Sequence, residues 1–132
     1  MILVDANVLM YAAGAEHPFK LPSVAFLERV ATGEVDGALD TEVLQEVLHR
    51  YRAIERWREG RTVYDRARVL FQAILPIDVE CVDEARRLLD RHPRLSARDA
   101  LHGAVVRCFG LDGICTYDQG FEGIEGVRRS EP

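Results

Sequence analysis

The chain runs almost at once into Ile2-Leu3-Val4-Asp5-Ala6-Asn7-Val8-Leu9, a short apolar run that ends in Asp-x-Asn. Such a run reads as a buried strand with a carboxylate at its C-terminal tip, the edge where open α/β sheets place their ligands. Gly37-Ala38-Leu39, Ile77-Asp78-Val79 and Ile114-Cys115-Thr116 read as further strands, and Gly126-Val127-Arg128 as a last one at an edge. Helical patterns fill the intervals. Residues 7–13 are a short helical or looped stretch closed by Gly14, and Ser23 is placed to cap a helix that ends before Gly33. Asp40 or Thr41 opens a helix whose stripe is Val43, Leu44, Val47, Leu48, Tyr51 and Ile54, with a turn expected at Gly60. A helix over residues 63–75 is expected to stop at Pro76. Two more carry Val82, Ala85, Leu88 and Leu89, then, after Ser96, Ala100, Leu101, Ala104, Val105 and Cys108. This alternation predicts one three-layer α/β/α domain over residues 1–132, with a mainly parallel central sheet of four to five strands.

The charge balance narrows the function. A net charge of −5 argues against a protein that coats nucleic acid by charge alone. Two stretches depart from that mean. Seven arginines between Arg50 and Arg68 face Glu55, Glu59 and Asp65, and five between Arg86 and Arg98 face Asp90, so each stretch is +4. A solvated helix face is the ordinary meaning of such a run, and a phosphate-contacting patch the alternative. No apolar run reaches membrane-spanning length, and the N-terminus lacks a basic leader. The three cysteines show no metal-ligand spacing. Cys108 and Cys115 lie on apolar elements and are expected to be buried free thiols in a reducing cytoplasm.

Four acids carry the chemical signal: Asp5, Glu46, Asp99 and Asp118. Asp5 and Asp118 each follow a predicted strand and so share one edge of a parallel sheet. Glu46 and Asp99 lie early in predicted helices that can reach that edge. Each has a bland account: Asp5 and Asp118 as turn residues, Asp99 as half of a Ser96-x-x-Asp99 capping box, Glu46 as the i,i+4 partner of Arg50. Glu46 lies about 130° from the centre of its helix's apolar stripe, so periodicity does not turn it inward. Taken together, clustered carboxylates need protons or cations to coexist. A divalent ion among them would polarise a phosphodiester and activate water, with a second ion stabilising the leaving oxygen. His102 reads as a surface or packing histidine, since no Cys or His partner stands at zinc spacing.

These acids and their neighbours resemble a PIN-domain ribonuclease, most closely the VapC-type toxins of bacterial toxin–antitoxin pairs. The resemblance rests on Val4-Asp5-Ala6-Asn7-Val8-Leu9, Glu42-Val43-Leu44-Gln45-Glu46-Val47-Leu48, Leu95-Ser96-Ala97-Arg98-Asp99-Ala100-Leu101-His102 and Thr116-Tyr117-Asp118-Gln119-Gly120-Phe121. It implies that Asp5, Glu46, Asp99 and Asp118 form the catalytic cluster holding Mg²⁺ or Mn²⁺, with Asn7 and Thr116 orienting the carboxylates. It further implies an endoribonuclease toxin that acts on RNA in the cytoplasm, forms a homodimer and is inhibited by a cognate antitoxin. One departure stands out: many relatives carry a second acid at the position of Gly120, for which Glu122 is the nearby substitute. A haloacid-dehalogenase-type phosphatase is disfavoured because Asn7 replaces its general acid and Lys20, the only lysine, comes too early. A receiver domain lacks its paired acids and late lysine. A PIN-like fold that binds RNA or a partner without turnover remains the alternative.

Overall fold

A computed structural model describes residues 1–132. Five parallel strands form one sheet in the order β3-β2-β1-β4-β5: β1 Ile2–Val4, β2 Gly37–Asp40, β3 Ala73–Leu75, β4 Ile114–Cys115 and β5 Arg129–Ser130. Helices α1 (Ala6–Ala13) and α2 (Lys20–Ala31) join β1 to β2, and α3 (Thr41–Ala53) and α4 (Trp57–Leu70) join β2 to β3. Then α5 (Val79–Arg91) and α6 (Ala97–Cys108) carry the chain to β4 on the other side of β1.

The apolar side chains of the central strands divide between two cores. Val4, Leu39 and Cys115 pack with Val8, Phe26, Val43, Val47 and Val63 from α1–α4. Leu3 and Ile114 point the other way, into Cys81, Leu88, Ala100, Val105 and Phe121 around α5 and α6. Successive strand residues therefore alternate between two dry faces, the pattern of a sheet covered on both sides. This is the expected α/β/α architecture.

Several local expectations are corrected. Ser23 does not cap α2, which begins at Lys20 with Pro22 in its first turn, where a missing N–H is tolerated. Ser23 is buried inside the helix instead, donating to the Phe19 carbonyl (2.6 Å) and meeting the Tyr117 hydroxyl (2.8 Å). Gly60 is not a turn but an early residue of α4. A Cβ there would stand 2.3 Å from Tyr51 Cβ, so glycine is what lets α3 and α4 close together. The break between these helices falls at residues 54–56, where Glu55 takes φ 58°. The third strand is Ala73–Leu75, before Pro76 rather than after it, and Asp78 caps α5 by accepting the Cys81 N–H at 3.0 Å. The last strand lies at Arg129–Ser130, beyond the expected 126–128. Cys108 is exposed, whereas Cys81 and Cys115 are buried. Burial pushes both buried thiols up to about 12, which leaves them unreactive near neutrality.

Candidate metal centre at the sheet edge

After β1 the chain builds outward through β2 and β3, then returns to place β4 on β1's other flank. The C-terminal ends of β1 and β4 therefore border the crevice where the chain changes direction, the point at which such sheets bind ligands. Asp5 leaves β1 and Thr116 leaves β4 at this crevice. A cavity of about 700 Å³ opens there, and Asp5, Glu46, Asp99 and Asp118 all line it.

Asp5 has the backbone conformation of an N-cap for α1, yet its side chain caps nothing. The bland account of this residue fails. The residue is 7% exposed, and Oδ2 accepts hydrogen bonds from Thr116 Oγ1 (2.5 Å) and Asn7 Nδ2 (2.9 Å). Thr116 is fully used: its hydroxyl donates to Asp5 and accepts from Asn7 Nδ2 (2.9 Å) and the Asp118 amide (3.0 Å). Asn7 and Thr116 thus hold Asp5 and the Asp118 backbone in one network.

Ser96 caps α6 by accepting the Asp99 N–H (3.1 Å), but the return bond of a capping box is not made. The Asp99 carboxylate faces the cavity instead. Asp118 is exposed and caps a short 3₁₀ turn, Oδ1 accepting from the Gly120 amide at 2.8 Å. A Cβ on Gly120 would stand 3.1 Å from that same oxygen. Glu122 does not replace the missing acid: it is exposed, away from the cavity lining, and paired with Arg129 at 3.1 Å.

Glu46 turns inward through tertiary packing, with its side chain 13% exposed. Arg98 fixes it, Nε lying 3.2 Å from both Glu46 Oε1 and Glu42 Oε1. The other oxygen, Oε2, is buried without a hydrogen-bond partner. The second buried atom without one is Nε2 of His102, 3.4 Å away. His102 is therefore no surface residue: it is 1% exposed, with Nδ1 hydrogen-bonded to Asp40 Oδ2 at 2.7 Å. Asp40 is buried too, and its Oδ1 caps α3 through the Val43 amide (2.8 Å).

Burial raises the Asp5 carboxyl above the usual carboxylate range despite nearby His102 and Thr116, with Glu46 and Asp99 adding to the rise. Asp99 is raised as well, by burial and by the charge of Asp118. For His102, burial alone would lower the imidazole, but Asp40 and Glu46 outweigh it and hold the ring well above its ordinary value. A proton on His102 and a cation in the cluster are thus two ways of neutralising the same carboxylates.

The residues fit a divalent cation. One ligand atom each from Asp5, Glu46 and His102 lies within 4.8 Å of the others. The two unpartnered atoms face each other in that group. Asp99 and Asp118 border the same cavity but stand outside this tight trio.

The PIN-domain model matches residues 2–127. Ribonuclease VapC13 of Mycobacterium tuberculosis is 41% identical over 129 residues, 98% of each chain. The chain belongs to the PIN-domain family, among its VapC ribonucleases. The fold is shared with solved assemblies. VapBC2 of Rickettsia felis, bound to a DNA fragment from their promoter, superposes with a TM-score of 0.79 at 18% identity, over 99% of this chain and 98% of that one. A toxin–antitoxin complex from Klebsiella pneumoniae gives 0.71 at 19% identity over the whole of both chains. No helix of this PIN domain is long and apolar enough to cross a membrane.

Proposed function

We propose that this PIN domain is a divalent-metal-dependent endoribonuclease toxin in which Asp5, Glu46, Asp99 and Asp118 form the catalytic cluster. The observation that carries the reading is the convergence of all four carboxylates on one cavity at the sheet's switch point. A divalent ion held by Asp5 and Glu46, Mg²⁺ or Mn²⁺, would supply a Lewis acid for a phosphoryl oxygen and lower the pKa of a water nucleophile. The chain's own residues do the rest. Asn7 and Thr116 fix Asp5 Oδ2, which leaves Oδ1 for the cavity. Arg98 neutralises one oxygen of Glu46 while the other stays free. Asp99 and Asp118 stand on the approach, where a scissile phosphate and its leaving group would be handled.

The test is cleavage of a mixed RNA pool with Mg²⁺ or Mn²⁺ by wild type, Asp5→Asn and wild type with EDTA. Cleavage by wild type alone, with new 5′-phosphate ends, is expected. Equal cleavage by Asp5→Asn would remove Asp5 from the site.

A cognate antitoxin belongs to the same proposal, laying a segment across the cavity with a basic side chain among the carboxylates. So do a homodimer and a cytoplasmic location, where the free thiols stay reduced. Light scattering on the antitoxin-free protein checks the dimer.

A further inference from the structure

Assigning Asp5 and Glu46 as metal ligands leaves a buried polar pair unexplained, and the role inferred for that pair rests on the assignment. His102 sits on α6 at i,i+3 from Asp99, so both side chains can reach the crevice from one helix face. Its ring is held by a carboxylate that has no freedom of its own. Asp40 Oδ1 is committed to the Val43 amide at the start of α3, and Oδ2 faces His102 Nδ1 at 2.7 Å. A carboxylate accepts from a ring N–H, which assigns the proton of this contact to Nδ1. In the neutral ring that a bound cation would leave, Nε2 is then the atom that presents a lone pair to the cluster.

Opposite Nε2 stands Glu46 Oε2, also an acceptor, 3.4 Å away, and neither atom has a hydrogen-bond partner. With the ring neutral these are two buried acceptors face to face, costly unless a positive charge, a proton or a cation, lies between them. Two ligand atoms each about 2.1 Å from one ion are about 3 Å apart at a right angle and about 4.2 Å apart when opposed. The observed separation falls within that span. A carboxylate behind a ring nitrogen whose other nitrogen faces the ion is also how metal-binding histidines are ordinarily supported.

We propose that His102 Nε2 is a metal ligand, making the centre a mixed nitrogen–oxygen site of Asp5, Glu46 and His102 with Asp40 as the residue that sets the imidazole tautomer. An all-carboxylate site suits Mg²⁺, whereas an imidazole nitrogen adds affinity for transition metals. The centre therefore prefers Mn²⁺ and the later divalent metals over Mg²⁺.

The test is pulsed electron paramagnetic resonance of Mn²⁺ on the whole chain, together with Mn²⁺ and Mg²⁺ titrations of wild type, Asp40→Asn and Asp5→Asn. Wild type should show a ¹⁴N coupling to bound Mn²⁺. Asp40→Asn keeps the helix cap through its amide oxygen but offers an NH₂ to His102 Nδ1, moving the ring proton to Nε2. It should lose the ¹⁴N coupling and about ten- to a hundredfold in Mn²⁺ affinity, the usual range for such support. Its Mg²⁺ affinity should change by much less. Bound Mn²⁺ without nitrogen coupling in wild type would overturn the proposal while leaving the carboxylate site intact. Mn²⁺ that binds wild type and Asp5→Asn alike, or neither, would overturn both. The wild-type spectrum decides even if a variant folds poorly.

Discussion

Thr116→Val removes one oxygen and keeps the side chain's shape, at a residue with no exposed surface. The hydroxyl is the hub of the Asp5 network, and its three bonds are lost unequally. Asp5 Oδ2 loses a charge-assisted donor but keeps Asn7 Nδ2. Such a bond contributes about 1.5–3 kcal/mol. The Asp118 amide loses its side-chain acceptor. Leaving a buried donor unpaired costs about 1–3 kcal/mol, and the lower end applies to this partly buried group. The expected destabilisation is therefore about 2.5–4 kcal/mol. It should be read as a lower denaturant midpoint at unchanged m-value. Metal affinity should fall as well, because the Thr116 hydrogen bond opposes the rise in Asp5's pKa and fixes which oxygen faces the cavity. Thr116→Ser separates the hydroxyl from its packing: it costs only a buried methyl, about 1 kcal/mol, and should bind metal like wild type. A Thr116→Val protein within about 0.5 kcal/mol of wild type, the spread expected of a neutral surface change, would refute this account of the network. So would a Thr116→Ser protein that binds metal no better than Thr116→Val.

Asp5, Asp99 and His102 all hold protons to higher pH in the fold than in the unfolded chain. The metal-free protein therefore loses stability as pH rises from the ordinary carboxylate value of 3.8 upward past 6.5, the ordinary value of histidine. A cation replaces those protons, so the rise in melting temperature on adding Mn²⁺ should grow with pH, and a rise independent of pH would contradict the shared-charge argument. Gly60→Ala should destabilise by about 1–3 kcal/mol through overpacking, since its Cβ would press into Tyr51 Cβ; thermal melts check this. Glu55→Gly should stabilise by up to about 1 kcal/mol, since φ 58° costs a residue with a side chain more than it costs glycine; an unchanged midpoint would count against it.

Asp5 was legible because a short apolar strand has one way out, and the residue at its tip has one edge to occupy. Ser96 was legible as the cap of α6 and Asp40 as the start of α3, both from local hydrogen-bonding rules. Glu46 was not, because its inward turn comes from Arg98 on α6 and from the approach of α3 to that helix, contacts that no periodicity contains. The third strand was misplaced for a related reason. Residues 69–75 hold enough apolar side chains to extend a helix, and a short apolar run alone does not distinguish the end of a helix from a buried strand. Asp78, read there as a strand residue, is a helix cap. His102 left a usable signal. It lies within a helix whose residues 100 and 102–106 are all buried, and a lone polar residue in such a run needs a partner. The partner was Asp40, at the end of a neighbouring strand and itself buried.

The two arginine-rich stretches, identical in net charge, differ once the fold is known, the later one reaching the cavity only through Arg98. Arg86 and Arg87 on α5 are engaged by Asp90 at 3.4 Å and Glu84 at 2.8 Å, on a helix that lines no part of the cavity. The earlier stretch begins at the cavity itself, where Arg50 and Arg56 join Arg98 in the lining. Arg98 is spent on Glu42 and Glu46, and Arg56 on Glu59 at 3.1 Å. Arg50 has no ion pair, and it also has no bond to Glu46, the partner that i,i+4 spacing assigned it. It is the lining arginine left free to meet a phosphate. On the proposed function, a net acidic protein would thus receive a polyanion without a basic surface: an ion among the carboxylates would supply charge at the reacting bond, and one unpaired guanidinium would supply it beside the same cavity.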